Sequence, residues 1–198
     1  MTAIAVLGNG RVGSNLATAL TRAGHQVKVA GRAPGAAADA ARTAQLVINA
    51  TPGAGSLERL AALREELRGK ILVDVSNATV DGPDGLPAEL LHPGSSLAEQ
   101  LQAALPHTRV VKTLNTMLFP VMTAPALLAE APDAFLSGDD PHAKQTVRDL
   151  LISLGWREEW ITDLGGIQTA RATEAAILFV PHVIRTSGFA PFAIKIAR

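Results

Sequence analysis

The chain has 198 residues, of which 47% are hydrophobic and 18% charged, and its 18 lysines and arginines balance its 18 aspartates and glutamates. That composition describes a folded, well-buried chain rather than a disordered one, and it offers no basic stripe to nucleic acid or to a membrane surface. There is no cysteine and no tyrosine, which excludes disulfides, thiolate catalysis, Cys-ligated metal and the Tyr–Lys proton donor of many ketoreductases.

Strand-length apolar runs alternate with helical patterns along the chain. "AIAVL" (3–7) is predicted as a buried strand, and 12–24 as a helix stopped at Gly24. The N-terminal stretch "TAIAVLGNG" reaches glycines after one short apolar run, so no signal peptide is expected. No apolar run is long enough for a bilayer, and the cytoplasm is the expected compartment. A second strand (25–31), a short helix (36–44) and a third strand (46–50) follow, the last ended by Thr51-Pro52. A helix over 56–67, with Ser56 as its cap, leads to a fourth strand at 70–77. The Gly- and Pro-rich stretch 78–94 is expected to be a loop. Beyond it lie a helix (96–105), a fifth strand (109–115) and a sixth strand (133–138). A helix over 140–155 has Asp140 as cap and Pro141 at its first position, and a last helix over 167–180 is ended by Pro181. This alternation predicts an α/β fold: a doubly wound parallel Rossmann sheet over residues 1–164, with a C-terminal appendage (165–198) packed on the same domain.

The first strand runs directly into "GNGRVG". Its glycines, Gly8, Gly10 and Gly13, stand between a strand and a helix, as a dinucleotide-binding turn requires. Gly8 allows the tight turn, Gly10 lets backbone approach a pyrophosphate, and Gly13 lets helix and strand pack closely. Asn9, Arg11 and Val12 complete the turn, and the helix N–H groups face the phosphates. The second strand ends in "VAGRAP", with Arg32 where NAD-binding chains place an acid, and the first acidic residue is Asp39. An arginine there forks onto a 2′-phosphate, so NADP(H) is expected rather than NAD, with Arg11 as a second phosphate contact. The carboxyl ends of the next strands carry Thr51-Pro52, Ser76-Asn77 and Asn115-Thr116, small polar residues suited to lining a ligand cleft.

Several longer stretches carry a resemblance. "GNGRVGSNLATAL", "VDVSNA", "SSLAEQLQAALPHTRVVKTLNT", "FLSGDDPHAKQTVRDLLISLGW" and "ARATEAAILFV" together resemble the NADPH-dependent reductases of the deazaflavin coenzyme F420 and the related ferric-reductase domain of STEAP proteins. The resemblance covers nearly the whole chain. It implies hydride passing between nicotinamide and a stacked deazaflavin, with Asn77 and Asn115 beside the nicotinamide in a positioning role and Arg32 on the 2′-phosphate. The chain departs from the family's usual pattern at Ala78, in its G-N-G-R-V-G turn, in "KTLNT" and in its long end "PHVIRTSGFAPFAIKIAR".

Hydride transfer between rings needs alignment more than proton chemistry. A carbonyl or imine reductase needs a proton donor as well, for which His92, His107, Lys112 and His182 are the candidates. No His, Asp and Glu spacing suggests a metal site. The apolar segment 178–197 has three expected uses: closing the core, covering the ring of a second cofactor, or forming a homodimer face. The expected partner is a small-molecule hydride acceptor, F420 or a flavin. The alternatives are an NADP(H)-binding redox-sensing module and a small imine or keto reductase.

Overall fold

The computed structural model describes residues 1–197. Ala3–Leu7 (β1) leads through Arg11–Arg22 (α1) to Gln26–Ala30 (β2), and Ala36–Thr43 (α2) leads to Leu46–Asn49 (β3). Two short helices, Ser56–Ala61 (α3) and Arg64–Leu67 (α4), precede Ile71–Asp74 (β4). Thr79–Asp81 (β5) and Pro87–Leu90 (β6) are followed by Leu97–Ala104 (α5) and Arg109–Lys112 (β7). Phe119–Thr123 (α6), Ala134–Ser137 (β8), Pro141–Ser153 (α7), Ile161–Gly165 (β9), Ala170–Ala175 (α8) and Val180–Ser187 (α9) complete the chain.

The main sheet has the order β2-β1-β3-β4-β7-β8-β9. From β2 to β7 every pairing is parallel. The direction reverses at β8, which meets β7 antiparallel through Lys112 and Ser137 alone. The chain thus forms a mostly parallel Rossmann sheet with a reversed two-stranded flank. Side-chain alternation splits the core in two. Ile4 and Val6 join Leu16, Leu20, Val147 and Leu151 on one face, while Ala5 and Leu7 join Leu60, Leu72, Leu97 and Leu101 on the other. Helices therefore cover both faces, as parallel strands require.

Four local expectations are corrected. The loop expected at 78–94 contains the antiparallel hairpin β5–β6, separate from the main sheet. The single helix expected at 56–67 is two helices, broken at Ala62-Leu63. Strand β9, in a stretch where no strand was expected, extends the sheet beside β8. Pro181 does not end the last helix: the chain passes from a 3₁₀ turn at Ala176–Phe179 into α9, and Pro181 stands in its first turn. There its missing N–H costs nothing, because first-turn donors have no helical partner anyway. No helix among the described residues is long and apolar enough to cross a membrane.

One charged group sits at the centre. Lys112 is 1% exposed, and its Nζ lies 2.8 Å from Asp74 Oδ2 and 2.8 Å from Glu174 Oε1. It also donates to the Ser76 carbonyl. Glu174 in turn accepts from the backbone N–H groups of Leu97 and Ala98 at 2.8 and 3.1 Å, which caps α5. Nearby, Arg171 on α8 grips Glu99 on α5, with Nη2 and Oε1 2.6 Å apart. Burial on its own would push the Lys112 pKa down, but the charges of Asp74 and Glu174 outweigh it and hold the pKa above the ordinary lysine value.

Lys112→Met should leave two buried carboxylates without their cation. Loss of one partner from a buried ion pair costs about 3–5 kcal/mol, read as a lower urea midpoint. Because the folded pKa is raised, the contribution of Lys112 is complete below the unfolded lysine value and is lost as pH rises through the folded one. The stability gap between wild type and variant should therefore stay constant from neutral to mildly alkaline pH and narrow only in strong alkali.

Candidate functional site

Beyond the carboxyl ends of the strands lies a cleft of about 1120 Å³. The strand order reverses between β1 and β3, so their two loops diverge there, as ligand crevices in such sheets require. Gly8 turns with φ +110, and a Cβ on it would stand 2.5 Å from the Ala50 carbonyl oxygen. A Cβ on Gly13 would stand 1.9 Å from the Gly8 carbonyl oxygen, so only glycine lets α1 lie this close to the turn. Gly10 differs: nothing lies within 4 Å of its Cβ position, and it borders the cleft. Gly10 caps α1 without a side-chain hydrogen bond, and no acid stands in the first turn, so the helix end keeps free donors and its positive pole.

Of the residues expected from the sequence, Gly8, Asn9, Gly10, Arg11, Val12, Arg32, Thr51, Pro52, Ser76, Asn77 and Asn115 all border this cleft. Gly13 lies behind it as a packing position. Arg32 is exposed at the end of β2 and forms no ion pair with the described residues. Arg11 lies over the Phe119 ring, 5.8 Å from its centroid. The two asparagines bond to each other: Asn115 Nδ2 donates to Asn77 Oδ1 at 2.9 Å, and Asn77 Nδ2 donates to the Asn115 carbonyl at 2.9 Å. One N–H of each amide is left for a ligand.

Thr51 and Ser76 are anchored from behind. Thr51 Oγ1 donates to Asn49 Oδ1 at 2.7 Å, and Ser76 Oγ donates to Asp74 Oδ1 at 2.7 Å. Asn49 Nδ2 donates to that same Asp74 oxygen at 2.8 Å. A continuous buried relay therefore joins Thr51, Asn49, Asp74, Lys112 and Glu174, and it fixes the two loops that form the floor of the cleft.

Much of the remaining lining is apolar. Leu118, Phe119 and Met122 come from the turn after β7 and from α6, and Ile177, Val180, Ile184, Phe189, Phe192 and Ile194 come from the C-terminal part of the chain. The last segment is pinned along the turn after β7. Leu118 N–H donates to the Phe192 carbonyl at 3.0 Å and Ile194 N–H to the Thr116 carbonyl at 3.1 Å. Lys195 pairs with Glu130 at 2.9 Å, and Arg185 pairs with Asp84 of the hairpin at 2.5 Å.

The ionisable side chains that border the cleft are Arg11, Arg32 and Arg59. None of the four candidate proton donors reaches it. Lys112 is sealed beneath the floor, and His107 sits at the opposite end of the sheet, where its carbonyl accepts from Gly69. Among the described residues no group of three or more His, Asp or Glu could hold a metal. Sequence reasoning missed two positions. Arg59 reads as a helix-surface residue, yet it folds back to donate to the carbonyls of Pro52 and Ala54 at 2.5 and 3.0 Å. Gly53 is needed because a Cβ there would meet the Asn77 carbonyl oxygen at 2.0 Å. The C-terminal segment, for which the sequence left three uses open, lines the cleft.

The family described as NADP oxidoreductase, coenzyme F420-dependent, matches residues 3–54, which hold the glycine turn and Arg32. A solved structure of a candidate F420-dependent NADP reductase from Arthrobacter sp. FB24 is 39% identical, with a TM-score of 0.91 and full coverage of both chains. The metalloreductase STEAP3 of Rattus norvegicus is 31% identical over 188 residues, 87% of this chain and 36% of that protein. The F420-dependent NADP reductase of Methanocaldococcus jannaschii is 30% identical over 139 residues, 69% of this chain and 60% of that protein. The chain thus spans less than two thirds of either of these last two relatives. Its full-length match to the Arthrobacter structure, together with the glycine turn it shares with the family, means that this chain belongs to the coenzyme F420-dependent NADP oxidoreductase family.

Proposed function

We propose that the chain is an NADPH-dependent oxidoreductase that passes hydride between NADP(H) and a deazaflavin or flavin-like ring. The observation that carries this reading is the make-up of one continuous cleft. It is bordered by an uncapped helix terminus, open backbone at Gly10 and three arginines, and for much of the rest by apolar side chains, with no His, Lys, Asp or Glu among them. The residues fit a dinucleotide on their own geometry: Gly10 leaves room for pyrophosphate, and Arg32 is free for a 2′-phosphate with no acid beside it.

In this reading a bound nicotinamide supplies the hydride. The chain binds phosphate with Gly8, Asn9, Gly10, Arg11, Val12 and Arg32. Thr51, Pro52 and Ser76 support the ribose and nicotinamide side, and Asn77 and Asn115 orient the reacting rings. The apolar walls exclude water and align the two rings, which is the main demand of ring-to-ring hydride transfer. Residues 1–164 form the nucleotide-binding unit, and 165–198 an appendage of the same domain that closes the acceptor end. Phe179 and Phe189 remain largely exposed beside it, so a homodimer contact there belongs to the proposal. We place the protein in the cytoplasm. The shortage of proton donors weighs against a simple imine or keto reductase.

NADPH absorbance followed with added coenzyme F420, FMN or ferric salts tests the reading. Oxidation is expected with the deazaflavin or the flavin. Tight NADPH binding with no oxidation by any of them would favour a redox-sensing module instead.

Gly10→Val should keep cooperative unfolding, since its Cβ meets no protein atom, yet should abolish NADPH binding. Gly13→Ala should lower thermal stability by contrast, because its Cβ collides with backbone. Unchanged NADPH affinity in the Gly10 variant would remove the phosphate-cradle assignment.

Arg32→Ala should weaken NADPH by roughly ten- to a hundredfold and leave NADH nearly unchanged. That range follows from about 1.5–3 kcal/mol for a charge-assisted hydrogen bond. Equal wild-type affinity for NADH and NADPH at moderate salt would reverse the cofactor preference.

Removing residues 188–198 should spare NADPH binding and reduce turnover with the acceptor. Unchanged turnover together with unchanged mass in solution would show that the tail neither lines the acceptor end nor joins a dimer.

A further inference from the structure

Beneath the floor of the cleft the buried charges do not balance. Asp74, Lys112 and Glu174 are 0, 1 and 4% exposed, and they bring two carboxylates to one ammonium. Among the described residues no other cation pairs with either carboxylate, and Arg171 on the same helix as Glu174 is taken by Glu99. One negative charge is left over. Five donors solvate it in place of water. Asn49 Nδ2, Ser76 N–H and the Ser76 hydroxyl reach Asp74 Oδ1 at 2.8, 3.3 and 2.7 Å, and the N–H groups of Leu97 and Ala98 reach Glu174. The N-terminal pole of α5 offsets about half a charge at most.

The surplus lies next to the cleft without bordering it. Asp74 ends β4 just before Ser76 and Asn77, and Lys112 ends β7 just before the turn that carries Asn115. Ser76, Asn77 and Asn115 all border the cleft. Ser76 joins the two levels, because its hydroxyl donates to Asp74 and its carbonyl accepts from Lys112. The charged groups themselves are sealed, so water and salt screen them far less than they screen a surface charge.

We propose that this surplus negative charge makes the site bind the oxidised nucleotide in preference to the reduced one, which favours hydride leaving the nicotinamide. The proposal rests on the reading of the cleft that sets the nicotinamide beside Asn77 and Asn115. When a reduced nicotinamide gives up hydride, a ring C–H bond breaks and both its electrons leave with the hydrogen for the acceptor ring. The nicotinamide passes from neutral to +1, and the acceptor gains the matching negative charge. The phosphates and their contacts are the same in NADP⁺ and NADPH, so the ratio of the two affinities isolates the charge felt by the nicotinamide. A partly offset unit charge acting through a protein interior changes such a ratio by about three- to tenfold.

Titration of the protein with NADP⁺ by calorimetry and with NADPH by fluorescence tests this. Wild type should bind NADP⁺ the more tightly. Glu174→Gln removes the surplus, and NADP⁺ should then weaken about three- to tenfold relative to NADPH. Asp74→Asn makes the same change of charge through the other carboxylate, and serves if Glu174→Gln does not fold. Asn49→Ala disturbs the same floor without altering its charge and should leave the ratio within about twofold of wild type.

Tighter binding of NADPH than of NADP⁺ by wild type would overturn the proposal, even if neither charge variant folds. So would a ratio that stays within about twofold of wild type in a folded Glu174→Gln or Asp74→Asn protein. An equal shift in Asn49→Ala would also overturn it, since the shape of the floor rather than its charge would then set the ratio. Absence of binding by both nucleotides removes the reading of the cleft, and the proposal with it. Binding of both without oxidation by any acceptor removes the oxidoreductase reading alone, and the ratio still decides the role of the charge.

Discussion

The Nζ of Lys112 lies between the carboxylates of Asp74 and Glu174, with almost no access to water. Each of these groups would be prohibitively costly to bury by itself, so the arrangement persists only if all three arrive together. Asp74 ends β4, Lys112 ends β7 and Glu174 belongs to α8. The requirement that they meet therefore sets where the C-terminal segment docks on the sheet. It also positions α5, because the Glu174 carboxylate satisfies two of that helix's first N–H groups. Asp74 relays the constraint forward through Asn49 to Thr51 and directly to Ser76, so the floor of the cleft depends on a charge cluster that never touches it.

The cleft above this cluster is divided chemically. At the nucleotide end the groups offered are backbone N–H donors and guanidinium cations, which suit phosphate. Elsewhere the walls are mostly carbon, contributed by the turn after β7, the hairpin and the last segment of the chain. Tight backbone packing makes both ends possible. Gly13 brings α1 against the Gly8 turn, and Gly53 brings the loop after β3 against Asn77. Those approaches keep the strand ends close enough for one ligand to cross from β2 to β7.

Polar groups around the cleft fall into two kinds. Thr51, Ser76, Asn77 and Asn115 are all bonded within the protein and therefore hold fixed positions. Fixed dipoles next to an apolar lining need little reorganisation when charge develops beside them. The turn at Leu114 is the exception to this orderly satisfaction, with a left-handed backbone and unpaired hydroxyls on both sides. Local disagreement of that kind tends to concentrate where a chain serves a ligand rather than its own stability.

The sequence by itself determined the parts whose physics is local. An apolar run entering "GNGRVG" specifies a strand, a tight turn and a close-packed helix, and the missing acid before Asp39 with Arg32 in its place is a local fact of charge. Strand–helix alternation likewise determined a doubly wound sheet. The tertiary structure decided what depends on partners far along the chain. Lys112 reads locally as a lysine in a strand, and only the arrival of Asp74 and Glu174 makes it a buried cation. The hairpin β5–β6 and strand β9 lack the apolar runs that announce the central strands, and take their form from register and neighbours. Arg59 belongs to a helix in the sequence but to the cleft in space. The last segment leaves three uses open in the sequence, and its backbone bonds to the turn after β7 place it along the cleft. Periodicity and propensity act over a few residues, whereas burial of charge and closure of a cleft are decided by contacts between distant ones.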